Sequence, residues 1–165
     1  MKVFVALAVL ILGLYAAQTS LLTYLDYNGV SANLMLAVVV STAFLRGLYI
    51  AVAMGLCVGL LQDLTTGDFF GCTTFTYMTI GLIFGKISER FVKDQFIVPV
   101  LAAPVSAAIY FFMMMLFILI LGYPINVAAA IEKILIPLIF YQIIFALPIH
   151  KIAYDFDKLV TRFFS

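Results

Sequence analysis

The sequence predicts an all-α integral membrane protein with six transmembrane helices, and three observations carry that prediction. First, 66% of the 165 residues are hydrophobic and only 10% are charged, with a mean hydropathy of +1.23. Soluble domains carry about 25% charge, so this chain cannot cover itself with a water-compatible surface. Second, the apolar runs are continuous and do not alternate, which indicates helices rather than a barrel. Third, the stretch from Asn28 to Asp63 holds Arg46 as its only internal charge. As one helix its roughly 34 residues would make a rod of about 50 Å, against a hydrocarbon core of about 30 Å. The chain must turn, and Arg46-Gly47 is where an arginine can reach water instead of costing roughly 3 kcal/mol at mid-depth.

The first helix is expected from about Val3 to Leu22, followed by a loop at Asp26, Asn28 and Gly29. It comes after a single lysine, Lys2, and lacks a small-x-small cleavage site, so it reads as a retained helix and not a removed signal peptide. The second is expected from about Ala32 to Leu45 and the third from about Leu48 to Leu61, with the polar cluster Gln62 to Gly71 after it. The fourth covers about Cys72 to Lys86 and fringes out through Ser88, Glu89 and Arg90. The fifth runs from near Phe96 to Leu121, long enough to span with tilt. Gly122-Tyr123-Pro124 turns the chain, and Asn126 is placed to cap the next helical segment. The sixth is expected from about Ile134 to Ile149, so that residues 1–150 form the membrane domain. Pro104 and Pro137 fall inside spans, where each removes a backbone bond.

Residues 151–165 are set apart as a cytoplasmic amphipathic helix. Lys151, Asp155, Lys158 and Arg162 share one face, and Ile152, Phe156, Leu159 and Phe163 share another. Such a helix suits the inner membrane surface, with cations reaching toward headgroups. Docking to a cytoplasmic partner is the other reading. With the amino terminus in the cytoplasm, Lys2, Arg46, Lys86, Arg90, Lys93, Lys151, Lys158 and Arg162 fall inside and Lys133 falls outside. The positive-inside bias therefore places both termini in the cytoplasm.

Small residues recur every four positions through the third helix, at Gly47, Ala51, Gly55 and Gly59, and lead to Asp63. Gly81 and Gly85 repeat the spacing in the fourth. Such seams let helix backbones approach closely in lipid, within the chain or against a partner. Asp63, at the external margin beside Gln62, suits capping of the next helix, a partner arginine or a polar cavity. Loop organisation with Gly67 and Gly71 is its plainest role. Gln18, late in the first helix, should seek an interhelical hydrogen bond.

Several function classes are disfavoured. A net charge of +1 from scattered basic residues gives no nucleic-acid footprint. His150 has no cysteine or carboxylate constellation, so neither a metal nor another cofactor is expected. Cys57 and Cys72 read as small apolar packing residues rather than a disulfide. The serines lack a histidine base, and no Walker loop or dinucleotide fingerprint appears. The chain does not read as an enzyme.

One set of residues resembles a known family. Gln18, Asn33-Leu34, Arg46-Gly47, Gly55-x3-Gly59-Leu60-Leu61-Gln62-Asp63-Leu64, Gly67, Phe70-Gly71 and Tyr77 are similar to the bacterial rod-shape-determining MreD family. The motif covers about Gln18 to Gly85. That family often has Pro-Asp where this chain has Ala32-Asn33. The resemblance implies a non-enzymatic inner-membrane scaffold of the elongasome that accompanies MreC. Through it the protein would act with RodA and its class B penicillin-binding partner, and indirectly with MreB, in lateral peptidoglycan synthesis. It also implies a fold like that of the substrate-binding subunits of energy-coupling-factor transporters, a kinship that does not transfer function. The residues implied as packing or partner-facing are Gln18, Asn33, Gly47, Gly55, Gly59, Asp63, Gly67, Gly71, Gly81 and Gly85. The alternative is a ligand-binding subunit of a vitamin-type importer, with Tyr24, Tyr27, Phe69, Phe70 and Tyr123 lining an outward pocket. Interfacial aromatic belts explain those residues equally well.

Overall fold

A computed structural model of the chain describes residues 2–21, 30, 32–66, 70–90 and 97–164. Every element among them is a helix. The order is α1 (Lys2–Leu21), α2 (Leu34–Arg46), α3 (Leu48–Thr66), α4 (Cys72–Ser88), α5 (Ile97–Ile120), α6 (Val127–Ala130), a π-helical turn (Ile131–Leu135) and α7 (Ile136–Phe164). The last three join without a break, because Ala130, Ile131 and Ile136 all keep right-handed helical backbone. The described residues thus form six helical rods. Among the described residues, three stretches are long and apolar enough to cross a membrane: Leu48–Thr65, Ile97–Ile120 and Val127–Leu159.

The centre of the bundle is α2. Every residue from Leu34 to Phe44 is buried, on all sides of the helix. An apolar helix enclosed all round is a core element, not one facing solvent or lipid on one side. Its 13 residues rise about 20 Å. Around it pack α3, α4, α5 and α7, and Met35, Leu36, Val38, Val39, Val58, Tyr77 and Ile80 form the most deeply buried part of the core.

Three boundaries differ from expectation. Helix α3 continues past Leu61 to Thr66, which puts Gln62 and Asp63 on the helix and not in the loop. The segment after Ile149 does not separate from the last span, since α7 runs unbroken from Ile136 to Phe164. No glycine interrupts it, and Pro148 lies inside it. The third is the start of the last rod, which includes a wide π turn with a local cause in Pro137. This residue has no N–H to offer the Lys133 carbonyl, and its ring clashes with a carbonyl four residues back. In the wide turn the Ile136 N–H bonds to Ile131 O, five residues back. Asn126 caps α6 as expected, its side chain accepting from Ala129 N–H at 3.2 Å.

Arg46 does not simply reach water at its turn. It ends α2 half-buried and forms an ion pair with Asp157 of α7. Gly47 then takes φ +82°, a left-handed conformation that glycine adopts without strain, and the chain enters α3.

Candidate functional site

The site grows from the tightest helix pair. Helices α3 and α4 run antiparallel, and their glycines mark the contact line. A Cβ on Gly59 would lie 2.3 Å from Thr74 Cα, and one on Gly55 would lie 2.5 Å from the Tyr77 carbonyl oxygen. From the other side, a Cβ on Gly81 would meet Ala51 O at 2.6 Å, and one on Gly85 would meet Leu48 Cα at 2.6 Å. The small-residue seam therefore closes within the chain, α3 against α4. Gly47, in contrast, has nothing within 4 Å of a built Cβ and belongs to the turn, not to the seam.

At the top of this seam Asp63 organises the start of α4. Its Oδ2 accepts from the Gly71 and Thr74 N–H groups, each at 3.0 Å, and from the Thr74 hydroxyl. Its Oδ1 accepts from Thr73 N–H at 3.2 Å. Gly71, at the N-cap position, has φ +95° and no side chain to offer. The orphan N–H groups of a helix start need acceptors, and a carboxylate there is also favoured by the helix dipole. Here the acceptor comes from the preceding helix. Asp63 is 3% exposed, so this capping happens away from water. Gly67 lies outside the described residues, as do Tyr24, Tyr27 and Phe69.

A second polar cluster surrounds the N-terminus of α2. Asn33 Oδ1 accepts from Leu36 N–H at 3.0 Å, an ordinary N-cap bond. Gln18 Oε1, from α1, accepts from Met35 N–H at 3.2 Å. Gln142 of α7, in the amide orientation that satisfies both its groups, donates to Asn33 O at 3.3 Å and accepts from Ala37 N–H at 3.2 Å. The Tyr77 hydroxyl of α4 lies 2.9 Å from both Asn33 Oδ1 and Gln62 Oε1 of α3, and its single proton serves one of these oxygens at a time. Side chains from α1, α3, α4 and α7 thus converge on one helix start. Tyr77 is fully buried and Gln142 is 1% exposed, so these bonds form in a low-dielectric interior. There a satisfied network rigidifies and a broken one is costly.

Sequence reasoning finds Gln18, Asn33 and Asp63 but misses Gln142, Thr73 and Thr74. It also sets Cys57 and Cys72 among packing residues, whereas Cys57 is exposed and Cys72 half-buried; both are free thiols. Among the described residues no group of three His, Cys, Asp or Glu side chains could hold a metal ion.

A cavity of about 170 Å³ lies between α5 and the α6–α7 rod, lined by Tyr110, Phe111, Met114, Ile118, Ile134 and Leu138 among others. Its walls are almost wholly apolar, and neither Phe70 nor Tyr123 lines it. Both of those aromatics are exposed.

Comparison with known families gives a match over residues 1–159 to the family described as rod shape-determining protein MreD. Comparison with curated proteins and with solved structures gives no match.

Proposed function

The chain belongs to the MreD family of rod shape-determining proteins, and from that premise we propose that it is a non-enzymatic scaffold of the elongasome in the bacterial inner membrane. In this reading it associates with MreC and acts with RodA and a class B penicillin-binding protein, and indirectly with MreB, to guide lateral peptidoglycan synthesis. It binds membrane lipid and no nucleic acid.

The observation that carries the scaffold reading is the use made of the buried polar side chains. Asn33, Gln62, Asp63, Tyr77 and Gln142 hydrogen-bond to helix starts and to one another. A catalytic or transport site needs polar groups aimed at a space where substrate fits. Here they are aimed at backbone and at one another, and the cavity beside α5 is apolar.

All six rods cross the membrane in this proposal, with both termini cytoplasmic, and the fold is kin to the substrate-binding subunits of energy-coupling-factor transporters. The gathering of charge supports the orientation. Gly85 packs on Leu48, and Arg46 pairs with Asp157, which brings Lys86, Arg46 and Lys158 to one end of the bundle. Glu132 and Lys133 lie in the π turn before α7, toward the opposite end.

The test is mild-detergent co-purification of the tagged protein from its own cells, with partners identified by mass spectrometry. Recovery of MreC, RodA or a penicillin-binding transpeptidase is expected. Recovery of an ATPase pair with a coupling membrane subunit would replace the scaffold by the importer.

A further inference from the structure

The outward face of the last helical turns takes no part in the glycine seam or the polar network. From Lys151 onward, α7 continues without a break to Phe164. Its inward side is engaged: Ala153 is buried, Phe156 packs on the core, and Asp157 pairs with Arg46. Its outward side carries Lys151, Lys158 and Arg162, all exposed, with Asp155 as the one acid among them. Beside them stand Ile152 and Leu159, 47% and 52% exposed.

The Arg46–Asp157 pair fixes the level of this face. Lys158 follows Asp157 directly and therefore lies level with the turn between α2 and α3. Lys86 shares that level, because its neighbour Gly85 packs on Leu48 just past the turn. Lys151 stands seven residues, about 10 Å, back toward the bundle, and Arg162 stands four residues, about 6 Å, farther out. A headgroup layer is about 5 to 7 Å thick on each side of the hydrocarbon core. Lys158 can thus sit in that layer while Lys151 and Arg162 extend toward it from either side, as long cationic side chains do. The Lys158 ammonium lies 5.9 Å from the centre of the Tyr154 ring, which keeps it close to the helix surface.

From this placement we infer that the face formed by Lys151, Ile152, Lys158, Leu159 and Arg162 binds the headgroups of anionic phospholipids. Charge complementarity selects the occupant: three cations against one acid face outward, and each of two lysines is followed by an exposed aliphatic side chain. An acidic soluble protein would meet the cations but has no use for Ile152 and Leu159 at the hydrocarbon margin. The inference rests on the proposal that the chain spans the membrane with this end in the cytoplasm.

The experiment uses the full chain in detergent, titrated with phosphatidylglycerol or phosphatidylcholine, with bound lipid counted by native mass spectrometry. The wild type is expected to hold several-fold more phosphatidylglycerol than phosphatidylcholine. The triple variant Lys151→Gln, Lys158→Gln, Arg162→Gln is expected to lose most of that preference, while Lys133→Gln keeps it. These side chains are exposed, so the triple variant should retain the wild-type melting temperature. No preference in the wild type, or an undiminished one in the triple variant, would overturn the inference. So would salt-sensitive capture of an acidic soluble protein by this face without any phosphatidylglycerol preference. Failure of the spanning proposal reads out separately, as protein released from membranes by carbonate extraction.

Discussion

Asp63 and Gly71 lie eight residues apart on either side of a loop, and the Asp63 carboxylate accepts the Gly71 N–H at 3.0 Å. The carboxylate is on α3 and the helix it caps is α4, so one side chain ties the start of α4 to the end of α3. Its four acceptor contacts are all internal.

Asp63→Ala is therefore expected to lower stability, by roughly 2–3 kcal/mol, because it leaves several buried donors without a charged acceptor. Thermal unfolding in detergent checks this, and Asp63→Asn should lose less. A variant with wild-type stability that no longer captured its partners would assign the carboxylate to recognition.

The seam makes a contrast between two glycines. Gly59→Ala should cost about 1–3 kcal/mol through overpacking, since its methyl would overlap Thr74 backbone. Gly13→Ala should cost nothing, because a Cβ there meets no atom within 4 Å. Gly59→Leu would force α3 and α4 apart. Melting temperatures of the variants decide, and equal behaviour of Gly59→Ala and Gly13→Ala would remove the steric reading.

Tyr77→Phe keeps the ring and deletes one hydroxyl. It removes the one donor that Asn33 Oδ1 and Gln62 Oε1 share, so a loss of about 1–3 kcal/mol is expected. Gln142→Leu should give a similar loss, and the two together less than their sum, because both act on Asn33. Strict additivity in a double-mutant cycle would show the network to be separate pairs.

At the other end, a cycle of Arg46→Gln and Asp157→Asn should return a coupling of about 0.5–1 kcal/mol, modest because both side chains reach solvent. Reduced trypsin cleavage at Lys158 in the wild type, relative to Asp157→Asn, would show the pair holding the tail against the bundle. Equal cleavage would mean that Ala153 and Phe156 hold it without the ion pair.

Much of this is legible in the residues, for physical reasons. Glycine every fourth residue favours close helix contact on one face, so Gly55, Gly59, Gly81 and Gly85 declare the seam. What cannot be read is what each polar side chain faces. Asp63 offers acceptors, but its donors lie beyond a loop whose geometry no pattern encodes. Gln142 is a single neutral amide in an apolar run, and nothing local distinguishes a helix-capping glutamine from an idle one. Charge begins at Lys151 and suggests a separate tail, yet a helix ends only where its backbone is interrupted, and nothing between Ile149 and Lys151 does that. Arg46 points to water on local sequence because its partner is 111 residues away.

The enclosure of α2 also has a consequence for biogenesis. This short helix leaves the ribosome early, but the amide that completes its start, Gln142, emerges about a hundred residues later, on the order of 5 to 20 seconds at ordinary synthesis rates. Until then α2 has neither its full set of acceptors nor the neighbours that bury it. The native centre of the protein is therefore among the last parts to be finished. A chain truncated before α7 would leave that centre open to lipid and to membrane proteases.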